Sequence, residues 1–101
     1  MSNKQLETSI EQSIIKYINN LPKCKAVKWS QDGRQRGNPD IIASIRGHML
    51  LIEVKQPGST PSKLQEMTMR TWRVTGAHVI WADHLEYVKR YIDDILGVVV
   101  Q

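Results

Sequence analysis

The stretch that most constrains this chain is Gly37 to Lys55, GNPDIIASIRGHMLLIEVK, where two aliphatic runs flank a dipeptide suited to chain reversal. The runs are Ile41 to Ile45 and Met49 to Val54, with Arg46-Gly47 between them. Such a pattern predicts a tight antiparallel hairpin. A two-residue loop at Arg46-Gly47 sets Asp40 directly opposite Glu53, where paired side chains share a face with Cβ atoms about 4.5–5.5 Å apart. Lys55 shares that face with Glu53, because strand side chains alternate. A loop at Gly47-His48 keeps the same parity, whereas an uncompensated longer loop turns Asp40 to the opposite side. The expectation is that Asp40, Glu53 and Lys55 converge. The other face, Ile41, Ala43 and Ile45 against Leu50, Ile52 and Val54, is wholly apolar and suited to a core.

Two opposed carboxylates repel each other unless something cationic sits between them. Mg²⁺ binds oxygen ligands and commonly uses one or two carboxylates together with phosphate and water oxygens, so a hard divalent ion suits the cluster.

Pro39-Asp40 followed by Glu53-Val54-Lys55 resembles the PD-(D/E)xK signature of the restriction-endonuclease-like nucleases. The sequence Gly37-Asn38-Pro39-Asp40, the later Gln65 and the small size further resemble the VRR-NUC family, whose stand-alone members occur in phages and bacteria. The resemblance implies an α/β sandwich with a central mixed sheet flanked by helices, and Mg²⁺- or Mn²⁺-dependent hydrolysis of DNA phosphodiester bonds. It implies Asp40 and Glu53 as metal ligands, with the Val54 backbone carbonyl as a third. Lys55 would orient the attacking water or stabilise the transition state, and Gln65 would support Lys55 or that water. Nucleases of this kind carry an acidic residue on their first helix. Glu11 is the candidate here, holding a metal-bound water, and Glu7 is its rival. Stand-alone members resemble Holliday junction resolvases, which act as homodimers on four-way DNA. A flap or other structure-specific nuclease is the alternative, and a catalytically silent DNA-binding module is a reading of another class.

A chain of 101 residues has room for one domain, residues 1–101, and none for a separate sequence-reading module. Its net charge of +4 and pI near 9.4 agree with a polyanionic partner, though they also describe many ordinary soluble proteins. Cys24 is the single cysteine, which excludes an internal disulfide and a cysteine-based zinc site. No hydrophobic run approaches the roughly 20 residues of a membrane span, and MSNKQLETS lacks the apolar core of a signal peptide. A cytoplasmic location, in a bacterium or a phage-infected host cell, is therefore expected.

Along the chain, Leu6, Ile10, Ile14, Tyr17, Ile18 and Leu21 keep helical spacing up to Pro22, with Thr8 or Ser9 as caps. Glu11 borders this stripe, either as the second half of a Thr8-x-x-Glu11 capping box or as a carboxylate turned toward the cleft. Cys24 to Ser30 suits a first strand. The following QDGRQRGN reads either as a solvated turn or as a basic loop in which Arg34, Gln35 and Arg36 grip phosphate, joined by Lys28 and its neighbours Lys23 and Lys25. Thr60-Pro61 predicts the start of a second helix running to about Thr75, with Leu64, Met67, Thr68, Thr71 and Trp72 facing inward. Gln65 could alternatively serve only a Ser62-x-x-Gln65 capping box. Residues 78–82, HVIWA, read as a buried strand, and Asp83-x-x-Glu86 as the capping box of a last helix ending at Gly97. Val98 to Val100 could add an edge strand. The three tryptophans and three tyrosines exceed what a small core must bury, so some could form a self-complementary dimer patch.

Overall fold

The computed structural model describes residues 3–29 and 37–97. Arg34, Gln35 and Arg36, and the valine run 98–100, lie outside the described residues. The elements are α1 (Asn3–Asn19), β1 (Cys24–Lys28), β2 (Ile41–Ile45), β3 (His48–Val54), α2 (Lys63–Arg73), β4 (His78–Ala82) and α3 (Leu85–Leu96). The strands form one sheet in the order β1-β2-β3-β4. The first two pairings are antiparallel, and β4 runs parallel to β3 after a crossover through α2. The result is a mixed α/β sandwich, as expected.

The hairpin register is set by the turn. Arg46 and Gly47 both have positive φ, 50° and 91°, the pattern of a two-residue turn whose twist matches that of its flanking strands. Ile41 accordingly pairs with Ile52, and Ala43 with Leu50. Alternate residues then separate cleanly. Ile41, Ala43, Ile45, Leu50, Ile52 and Val54 bury themselves with Ile14 and Ile18 of α1 and Val88 and Ile92 of α3. The opposite face carries a smaller cluster, in which Leu51 and Val79 meet Met69 of α2, with Trp29, Trp72 and Trp81 packed around them.

Several boundaries differ from expectation. Helix α1 begins at Asn3, so Thr8 lies inside it and cannot cap it with Glu11. No glycine or proline interrupts residues 3–8, so nothing local stops the helix from extending N-terminally. Helix α2 begins after Ser62 rather than Thr60: the Ser62 hydroxyl accepts from the Gln65 N–H, and the Gln65 side chain accepts from the Ser62 N–H. That reciprocal pair outcompetes Thr60-Pro61 as the start signal. The helix is also rotated from the expected stripe, with Met69 buried while Leu64 and Met67 are 51% and 66% exposed. The rotation turns Gln65 toward the sheet. The N-cap of α3 is His84, without a side-chain cap bond, because the Asp83 carboxylate is bonded to the His84 ring at 2.6 Å.

Both sheet edges are blunted by side chains. Asn19 acts as a short mimic of a neighbouring strand, its amide accepting from the Ala26 N–H (2.8 Å) and donating to the Ala26 carbonyl (3.0 Å). At the other edge Arg73 donates twice to the Val79 carbonyl, at 3.1 and 3.0 Å. Satisfied edge groups do not template pairing with another strand. None of the six aromatic residues is fully exposed; the exposed large apolar side chains among the described residues are aliphatic, including Val27, Leu64 and Met67.

Candidate functional site

The carboxylates gather where β2 begins and β3 ends. The ladder stops at Ile41 and Ile52, and Asp40 steps off it instead of continuing opposite Glu53. Its N–H donates to the Ile52 carbonyl (3.0 Å), and its carbonyl accepts from the Trp29 N–H (2.7 Å). Its side chain reaches forward, where Oδ2 accepts from the Val54 N–H at 2.8 Å. The displacement changes the backbone pairing but keeps the Asp40 carboxylate against that of Glu53.

Glu53 is only 3% exposed, the single buried charged residue among those described. Its Oε1 accepts from Gln65 Nε2 at 3.3 Å and lies 3.9 Å from Lys55 Nζ. Its Oε2 is buried without a hydrogen-bond partner among the described residues. Burial chiefly, then the adjoining Asp40 carboxylate, and last the charge of Glu7, push the Glu53 carboxyl up to about 9, against the opposing pull of Lys55. Without a cation, the site holds a proton where two carboxylates would otherwise face each other.

Helix α1 brings both acidic candidates to this place from one turn apart. Glu11 pairs with Lys28 at 3.5 Å, its side chain 12% exposed and that of the lysine 65%. Burial raises the Glu11 carboxyl above its usual range, Lys28 opposes, and Asp40 and then Glu7 reinforce. Glu7 accepts from the Gln56 N–H at 3.3 Å, tying α1 to the backbone just past Lys55. Among the described residues no three His, Cys, Asp or Glu side chains close into a ready-made cage for a metal ion. Asp40 and Glu53 are the two carboxylates here that could share a cation, with other oxygens completing its shell.

Gln65 forms half of the α2 capping box and also donates into the site. The contact goes to Glu53; no bond from Gln65 to Lys55 is present among those described. Several residues support the site through contacts that no local sequence pattern specifies. Gly37 has φ +87°, and a Cβ there would stand 2.9 Å from Thr68 Oγ1 and 3.1 Å from Leu64 Cγ, so only glycine lets this turn lie against α2. Trp72 Nε1 donates to Asn38 Oδ1 at 3.5 Å, and the Trp72 ring meets Trp29 edge-to-face at 5.6 Å. Asp40 and Gln65 are thereby held by one packed unit, built from residues distant in sequence.

Comparison with known proteins turns on this architecture, since no family model and no curated protein sequence matches the chain. Solved structures do match, among them two of this fold. One, described as a VRR_NUC domain, superposes with a TM-score of 0.70 at 22% identity, covering 91% of this chain and 95% of its own. The other, a VRR_NUC domain protein, gives a TM-score of 0.73 at 16% identity, covering 92% and 89%. The chain has the fold of a VRR_NUC domain. Nearly the whole length of each neighbour is matched.

Proposed function

We propose that this VRR_NUC-fold protein is a metal-dependent endonuclease that hydrolyses phosphodiester bonds in branched DNA, with a four-way junction as the preferred substrate. The observation that carries the reading is the buried Glu53 carboxylate, whose Oε2 lacks a partner while Asp40, Lys55 and Gln65 converge on it. A polar atom so placed is costly in a finished fold and fits a group that is added later. Asp40, Glu53 and the Val54 carbonyl would hold Mg²⁺ or Mn²⁺, with Glu11 reaching it through water. Bound there, the ion would lower the pKa of an attacking water and offset charge growing on the phosphate.

The chain's own groups have distinct tasks. The Val54 N–H pins Asp40 Oδ2 and so fixes the orientation of that carboxylate. Gln65 does the same for Glu53 through Oε1, leaving Oε2 turned to the site. Lys55, only 15% exposed, supplies a poised positive charge for the developing oxyanion. Lys28, mostly exposed, can leave Glu11 for a phosphate, joined by Arg34, Gln35 and Arg36. Paired nicks in a junction require two sites, which a twofold homodimer supplies. No described helix is long and apolar enough to cross a membrane.

The test is incubation with four-way, flap and linear DNA, with and without Mn²⁺. The expected result is Mn²⁺-dependent, paired symmetric nicking of the junction by a dimer. A monomer that cuts flaps faster than junctions would overturn the junction assignment alone. Binding without any cleavage would leave a DNA-binding module.

A further inference from the structure

The outer edge of β4 carries a row of rings that the carboxylate site does not use. His48 and His78 have centroids 5.9 Å apart, as do His78 and Tyr91, while Tyr91 to Tyr87 and Tyr87 to His84 are each 6.4 Å. The row takes in all three histidines of the chain and two of its three tyrosines. Two cavities lie along it. One, of about 300 Å³, is walled by His48, His78 and the Thr75–Ala77 turn. The other, of about 470 Å³, is walled by Arg73, Trp81, Asp83, His84, Tyr87 and Tyr91. They adjoin where the His78 ring nitrogen meets the Tyr91 hydroxyl at 3.2 Å. The larger has Trp81 in its wall, and Trp81 is the register partner of Glu53 on the neighbouring strand.

The chemistry of this trough selects among occupants. An added peptide strand is disfavoured, since the outward Val79 carbonyl already accepts two bonds from Arg73. Duplex DNA hides its base faces and presents phosphates, yet the only Lys or Arg in either cavity wall is Arg73, and Asp83 lies beside it bonded to His84. Unpaired nucleotides fit better: their π-faces stack on half-exposed rings without regard to sequence, and one backbone phosphate can take the three N–H donors that Arg73 has left of its five.

We propose that this trough is a binding track for unpaired nucleotides, leading a single strand at a DNA branch past Trp81 to Asp40 and Glu53. It rests on the nuclease reading for its substrate class. The test is fluorescence anisotropy of a labelled short oligothymidylate and of a blunt duplex, with EDTA present so that nothing is cut. Tyr87→Leu, which keeps apolar bulk but removes the ring, should weaken single-strand binding about tenfold, and Tyr87→Phe should retain it. His84→Ala, at a side chain 55% exposed, should weaken it several-fold and cannot do so by emptying a core. Duplex binding should not move in any variant. A wild-type protein that ignores oligothymidylate overturns the proposal. So does unchanged single-strand binding in Tyr87→Leu and His84→Ala, or an equal loss of both DNA forms; should Tyr87→Leu unfold by circular dichroism, His84→Ala decides alone. Cleavage by the wild type in Mn²⁺ is scored separately. Tyr87-dependent binding without cleavage removes the nuclease reading and keeps the track, whereas cleavage with Tyr87-independent binding does the reverse.

Discussion

Alternate residues of β3 build two opposite environments. Leu50, Ile52 and Val54, each at most 2% exposed, meet α1 and α3 in a core whose fully buried residues are all apolar. One residue over, Leu51 and Glu53 face α2, where a small apolar cluster gives way to a buried carboxylate, an amide and an ammonium. The first face is closed by apolar packing; the second leaves Glu53 Oε2 without a partner among the described residues. A domain this small tolerates an unfinished polar face because the opposite face is wholly apolar. The division of labour is made by strand periodicity alone.

That contrast can be broken from either side. The largest effect belongs to the apolar face, where Ile52→Ala should cost about 2–5 kcal/mol in urea unfolding, a large part of the roughly 5–15 kcal/mol such domains possess. A cost below about 1 kcal/mol would mean that this face is not the one holding the fold together.

On the polar face the sign reverses. The Glu53 carboxyl is raised from 4.5 to about 9 by folding, so the folded state holds a proton that the unfolded chain has released. Its contribution is full below about 4.5 and is lost as pH rises toward about 9. The metal-free protein should therefore become less stable across that window. Glu53→Gln, which needs no proton, should melt higher than wild type at pH above neutral, by about 5 °C, the shift that roughly 1 kcal/mol gives in a domain of this size. Below about 4.5 the two should converge. A variant melting lower than wild type at alkaline pH would mean that the site is not under this electrostatic load.

The smallest effects separate the two acids of α1. Among the described residues Glu11 is tied to an exposed lysine, whereas Glu7 holds the Gln56 backbone. Glu11→Gln should lower DNA cleavage more with little change in stability, and Glu7→Gln should lower stability by about 1 kcal/mol, the worth of one hydrogen bond. The opposite ranking in cleavage assays would give the catalytic role to Glu7.

What was legible in the sequence followed from period and punctuation. The hairpin register, the apolar face and the convergence of Glu53 with Lys55 all descend from strand alternation and the Arg46-Gly47 turn. The step by which Asp40 leaves the ladder was not legible, because it depends on Trp29 and Val54 competing for its backbone and side chain. The rotation of α2 was missed for a related reason: Leu64 and Met67 look like core residues by hydrophobicity, yet Ser62 and Gln65 fix the first turn and Met69 takes the buried position. Long-range contacts such as Asn19 with Ala26 leave no local pattern at all.

The central claim, that Asp40 and Glu53 form a cation site, is tested most directly by calorimetric titration of Mn²⁺ at neutral pH in buffers of different ionisation enthalpy. Because a Glu53 carboxyl at about 9 is protonated there, binding should release close to one proton per ion. Asp40→Asn and Glu53→Gln should each abolish both the binding and the release. Mn²⁺ binding that survives undiminished in both variants, or DNA cleavage by a protein that binds no Mn²⁺, would contradict the account.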